Sequence, residues 1–178
     1  MNDEFITPME LALSLGSNLG DRLATLREAA RRISAIPGVR LVAAAPVYET
    51  DPVGSRKEYA ALKYLNTVLI AETSGGLDQL AAALHGIEDS LGRVRTEDRY
   101  APRTLDIDIL YAGGTVRRDG ELDLPHPRWA QRRFVLQPLA DVRPGLVLPG
   151  ETRPVAEILA RLPPGEGVVR VAEGWLPG

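Results

Sequence analysis

The chain has 178 residues and no cysteine, carries a formal net charge of −3, and is 44% hydrophobic and 25% charged. That length suffices for one ordinary core, and the lack of cysteine excludes disulfides, thiolate catalysis and cysteine-ligated zinc. The mildly acidic balance argues against a general nucleic-acid or anionic-membrane binder, no apolar run approaches the roughly 20 residues of a membrane helix, and the acidic start Met1-Asn2-Asp3-Glu4-Phe5 is unlike a signal peptide, so the expected location is the cytoplasm.

In chain order, Glu10 to Gly16 reads as a first strand, and Gly16-Ser17-Asn18-Leu19-Gly20-Asp21 as turn and cap. Leu23, Leu26, Ala30 and Ile33 recur at helical spacing up to a stop near Pro37-Gly38. Val39 to Tyr48 reads as a second strand, Thr50 to Tyr59 as a polar loop, and Tyr64 to Glu72 as a third strand. Leu77, Leu80, Leu84, Ile87 and Leu91 form the stripe of a second helix that Gly92 can cap. A fourth strand runs to Tyr111, and a short strand follows the Gly113-Gly114 turn. Trp129 to Leu139 and Val155 to Leu162 read as helices, with a last strand over Gly167 to Ala172. The order β-α-β-β-α-β predicts an α+β, ferredoxin-like core with an antiparallel sheet and additional C-terminal helix and strand elements. No linker or repeat divides the chain, so one domain over 1–178 is expected, its core at about 10–162.

The chemistry concentrates in Arg103-Thr104-Leu105-Asp106-Ile107-Asp108-Ile109-Leu110. Leu105, Ile107 and Ile109 alternate to one face of the strand. Asp106 and Asp108 then share the other, roughly 7 Å apart at Cα for a rise of about 3.3 Å per residue. Carboxylates in so apolar a run need a positive partner. Arginine can serve, and two oxygen-liganded Mg²⁺ ions fit the spacing better. Arg93, Arg95, Arg99 and Arg103 immediately precede the acids. By itself such a run reads equally well as a solvated loop, which Glu97 and Asp98 partly neutralise. Beside paired acids it suggests binding of a polyphosphate.

Three other positions stand out. Asn66, inside Tyr64-Leu65-Asn66-Thr67-Val68, needs partners that a ligand edge or the backbone could supply. His126 lies between two prolines, which suits either a structural histidine or a positioned donor. Glu88 falls at the edge of the second helix's stripe and reads equally well as exposed. His85 reads as surface. No P-loop or protein-kinase signature occurs.

Taken together, Leu15-Gly16-Ser17-Asn18-Leu19-Gly20, Tyr48-Glu49-Thr50-Asp51-Pro52-Val53-Gly54, Tyr64-Leu65-Asn66, Gly92-Arg93-Val94-Arg95, Pro102-Arg103-Thr104-Leu105-Asp106-Ile107-Asp108, and Leu124-Pro125-His126-Pro127 with Arg132-Arg133-Phe134 carry a family likeness. It resembles the 6-hydroxymethyl-7,8-dihydropterin pyrophosphokinases of the folate pathway. The resemblance implies transfer of pyrophosphate from ATP to the pterin hydroxymethyl group, with release of AMP. It implies two Mg²⁺ ions on Asp106 and Asp108, and Arg93 and Arg103 as catalytic phosphate clamps. Thr50, Val53, Tyr64, Asn66 and Phe134 would bind the pterin. Glu88, Arg93, Arg95, Arg103, His126 and Arg132 would bind ATP. The loops Thr50 to Tyr59 and Gly92 to Pro102 would act as lids, and the protein would be a monomer or weak homo-oligomer. Thr96, Tyr100, Ala101 and His85 depart from the family's usual basic residue, Trp, Gly and Gln.

Two other readings share the fold expectation. A palm-type nucleotidyl transferase or cyclase also carries acids on a central strand, but has no use for Asn66 near Tyr64 and a later Phe. An RNA-recognition module needs exposed aromatics and a basic face, neither of which is visible.

Overall fold

In the computed structural model, residues 7–54, 57–93, 96–98, 101–164 and 167–176 are described. The strands are β1 (Met9–Ser17), β2 (Val39–Ala44), β3 (Val47–Thr50), β4 (Tyr64–Thr73), β5 (Asp106–Ala112) and β6 (Val168–Ala172). The helices are α1 (Arg22–Ser34), α2 (Leu77–Ser90), α3 (Arg133–Val142) and α4 (Val155–Arg161). Strand β4 pairs with β1 on one side and with β2 and β3, end to end, on the other. Strands β5 and β6 extend the sheet outwards to give the order β5-β1-β4-β3-β6, and every pairing is antiparallel. Counting β2 and β3 as one strand, this is the expected ferredoxin-like core, lengthened by α3, α4 and β6.

Alternation along the strands builds a core on each face. Leu11, Leu13, Leu15, Leu69, Ile107 and Ile109 pack with Leu26, Ile33, Leu80 and Leu84 of α1 and α2. Ala12, Val68, Ile70 and Leu110 pack with Val135, Leu136 and Leu139 of α3 and Val155 of α4. Further along this second face the sequence turns polar, with Ser14, Gly16, Asn66, Asp106 and Asp108, and the apolar helix layer stops there.

Three expected elements differ. The strand predicted over Val39 to Tyr48 is broken at Ala45-Pro46. Proline has no N–H to give to a ladder. The loose carbonyls of Ala45 and Pro46 lie 3.0 and 3.1 Å from the Thr67 hydroxyl. The short strand expected after Gly113-Gly114 is only an isolated bridge, Arg117 to Leu124. The helix predicted from Trp129 begins as a 3-10 turn, Trp129–Gln131, before α3. No helix among the described residues is long and apolar enough to cross a membrane.

The tail contributes a core residue that no local pattern announces. Trp175 is 2% exposed within the α1/α2 core. Its indole N–H donates to the Ala45 carbonyl at 2.8 Å, and its own carbonyl accepts from Arg27 Nε at 2.8 Å. Trp175→Ala should therefore cost about 3–5 kcal/mol in urea unfolding, the usual range for a buried tryptophan. A loss under about 1 kcal/mol would mean the tail only rests on the surface.

Candidate active site

The polar half of the second sheet face forms the floor of a cavity of about 740 Å³. Register places its central residues in one row: Asp106 of β5 opposite Gly16 of β1, Gly16 opposite Asn66 of β4, and Asn66 opposite Tyr48 of β3. Asp108 and Ser14 form the next row. Both carboxylates thus share one strand face, as period 2 requires.

Gly16 is dictated by space. A Cβ there would lie 2.7 Å from Asn66 Oδ1. Asn66 is 5% exposed and donates from Nδ2 to Thr50 Oγ1 at 2.7 Å. Among the described residues no donor reaches its Oδ1. The partner open in the sequence reading is thus a side chain on one side, and a free acceptor remains on the other. Tyr64 and Phe134, from β4 and the start of α3, line the cavity together with Thr50 and Val53.

Charged residues line the cavity as well. Arg93 Nη1 lies 2.6 Å from Asp106 Oδ1 and 2.5 Å from Glu88 Oε1. Arg103 Nη1 approaches Asp106 Oδ2 at 3.4 Å. Asn18 fixes the Arg103 backbone from both sides: its Oδ1 accepts from Arg103 N at 2.8 Å, and its own N–H donates to the Arg103 carbonyl at 3.2 Å. Asn18, the residue that follows the end of β1, therefore does more than begin the expected turn, which starts two residues later than Gly16 because Gly16 and Ser17 are still paired with β4. Glu88 lines neither cavity. It is 2% exposed, and its Oε1 also accepts from Ile107 N at 2.7 Å, so it stands behind Arg93.

Burial and the Asp106 charge push the Asp108 carboxyl up to about 6, against the pull of Arg132, Arg93 and Arg103. Among the described residues no group of three or more metal-ligating side chains is assembled. Two carboxylates, with the other positions left to phosphate oxygens and water, suit Mg²⁺, whereas structural zinc needs four protein ligands.

Burial lowers His126 to about 4, assisted by the charges of Arg132 and Arg128. Its Nδ1 accepts the Arg128 N–H at 3.1 Å, which leaves the proton on Nε2. His126 is a neutral donor at neutral pH. Arg132 lies over the Phe134 ring, 5.5 Å from its centroid. A second cavity of about 230 Å³, lined by Ala81, Leu84, His85, Ile107, Ile109 and Leu122, meets the first at Asp108 and His126.

The main cavity brings together Thr50, Val53, Tyr64, Asn66, Arg93, Arg103, Asp106, Asp108, His126, Arg132 and Phe134. Arg95, Arg99 and Tyr100 lie outside the described residues. The cavity is also lined by Asp51 and Tyr59, from the loop expected to act as a lid, and by Ser14, Arg128 and Gln131, which the sequence reading missed. Ser14 alone carried a signal, as a polar residue in an apolar strand.

The model of the 7,8-dihydro-6-hydroxymethylpterin-pyrophosphokinase family matches residues 12–144. The chain belongs to this family. A 2-amino-4-hydroxy-6-hydroxymethyldihydropteridine pyrophosphokinase of Methylorubrum extorquens is 42% identical over 89% of this chain and 96% of its own length. One of Mycobacterium bovis is 40% identical over 88% and 85%. A Plasmodium falciparum HPPK-DHPS structure superposes with a TM-score of 0.70 at 12% identity, over 89% of this chain and 46% of that one, and supports the fold. The chain is a pyrophosphokinase that acts on hydroxymethyldihydropterin in folate biosynthesis, with ATP as substrate.

Two consequences can be measured. Gly16→Ala should push the Asn66 amide aside and weaken pterin binding about tenfold, with binding of an ATP analogue changed less than about twofold. Calorimetric titration with each ligand checks this, and equal losses for both would point to general damage. The second concerns Asp108. The folded state keeps its proton up to about 6, while the unfolded chain releases it in the ordinary carboxylate range. Stability from this group therefore falls as pH rises through that window. Asp108→Asn should raise stability by about 1–3 kcal/mol at pH ~7.5, and the gain should shrink below pH ~5. Scanning calorimetry at both pH values decides it; an Asp108→Asn variant that melts no higher than the unaltered protein at pH ~7.5 would mean that the charge is fully compensated.

Proposed function

We propose that the cavity carries out pyrophosphoryl transfer by holding the pterin and the triphosphate at opposite ends of one sheet row. The pterin edge pairs with Asn66, whose Oδ1 is a free acceptor among the described residues. Tyr64 and Phe134 sandwich the ring, since offset stacking suits a flat heterocycle. Thr50 fixes the Asn66 amide through its hydroxyl and, with Val53, completes the pterin contacts.

Asp106 and Asp108 hold two Mg²⁺ ions, which when bound would polarise phosphoryl oxygens and offset the developing charge. Arg93 and Arg103 turn from Asp106 to the phosphates and stabilise charge that shifts to the AMP leaving group. Arg132 and the Nε2–H of His126 bind the phosphates from the opposite wall. The nucleoside occupies the smaller cavity, whose Ala81, Leu84, Ile107, Ile109 and Leu122 walls suit a purine face. Arg95 belongs with the ATP contacts, while Glu88 acts through Arg93. We further read the 178 residues as one cytoplasmic domain, monomeric or weakly associated.

One observation carries this reading. The amide and the metal-type carboxylate lie on one row, separated only by the side-chain-free Gly16. A substrate held by Asn66 is thereby aimed at phosphate held beside Asp106.

The test is to incubate the protein with ATP, Mg²⁺ and reduced hydroxymethylpterin, and to resolve AMP from ADP. Pterin-dependent AMP is expected. Chelation and a folded Asp106→Ala variant should each remove at least about a thousandfold of the rate. ADP as product would make the chain an ordinary kinase at this site, and absence of turnover would refute the assignment.

A further inference from the structure

Arg128 lines the main cavity at the turn that follows His126. Its backbone N–H sets the His126 tautomer. The cavity's other charged groups are largely committed to one another: Arg93 and Arg103 contact Asp106, and Arg132 lies over Phe134. Among the described residues no carboxylate pairs with Arg128. Its charge is felt at the His126 ring, where it helps to lower the imidazole. Arg128 is solvent-exposed at the border of the cavity, and a guanidinium there without a carboxylate partner is suited to bidentate contact with phosphate oxygens.

Position selects which phosphates. The two cavities meet at Asp108 and His126, and Arg128 lines only the larger one. With the nucleoside in the smaller cavity, Arg128 lies beyond the α-phosphate. We propose that Arg128 is a further substrate-binding residue that grips the β- and γ-phosphates of ATP. This rests on the placement of the two substrates argued above.

The experiment measures binding to the full-length chain of a non-hydrolysable α,β-methylene ATP analogue, of AMP, and of the pterin, each with Mg²⁺. Arg128→Ala should weaken the analogue about tenfold, the usual worth of one charge-assisted contact, and leave AMP and the pterin within about twofold. Arg128→Lys should recover part of the loss, because a point charge replaces the fork. Equal loss for the analogue and AMP would overturn the proposal, as would no loss for either. Loss of pterin binding would also overturn it, marking a structural role for the turn. Pterin-dependent AMP formation by the unaltered protein is measured in parallel. Its absence would count against the reaction, whereas its presence with an unaffected Arg128→Ala would count against this residue alone.

Discussion

Two carboxylates on one strand face, in a place where burial already disfavours charge, are the constraint around which the site is organised. Asp108 answers by taking its proton more readily, up to about 6. Asp106 answers by recruiting guanidinium groups, Arg93 at 2.6 Å and Arg103 at 3.4 Å. Each arginine then needs its own support, from Glu88 and Asn18 respectively. A run of contacts from Glu88 of α2 through Arg93, Asp106 and Arg103 to Asn18 at the end of β1 thus follows from one local electrostatic problem. In the proposed reaction the same arrangement would attract a multivalent cation and an oxygen-rich anion, which offsets its cost.

The sheet supplies the geometry cheaply. One face continues from an apolar half under α3 to a polar half with no helix over it, so the cavity needs no separate scaffold. Rows across antiparallel strands keep Asn66, Gly16 and Asp106 aligned through main-chain hydrogen bonds rather than through long side chains. Main-chain ladders hold such alignments more rigidly than loops do. Phe134 reaches the cavity because α3 begins where the apolar layer ends.

What could be read from the sequence was what period and composition encode locally. The alternation about Asp106 and Asp108 placed both acids on one face, and the amide inside Tyr64 to Val68 marked Asn66 as unusual. The broken strand carried its own signal in Pro46, an N–H that no ladder could use. Glu88 was ambiguous for a physical reason. Helical spacing sets it four residues after Leu84, at the edge of the stripe, and its burial depends on Arg93 and the Ile107 amide, which no helical pattern contains. Trp175 was beyond reach because its partners, Ala45 and Arg27, lie far away in the chain. Arg128 carried no signal, since nothing local says that the turn after His126 borders a cavity.

The pairing of Arg93 with two acids of unequal burial has a consequence for how charge can move in the site. Glu88 is 2% exposed and cannot lose Arg93 without leaving an unpaired buried carboxylate. Asp106, with about a third of its side chain exposed, can exchange partners far more easily. The guanidinium is therefore tethered from behind and free in front. In the proposed reaction, phosphate oxygens would replace Asp106 at the front while Arg93 kept its compensation from Glu88. A clamp held in this way meets the changing charge of a transferring phosphate group with little reorganisation, the condition under which electrostatic stabilisation is most effective.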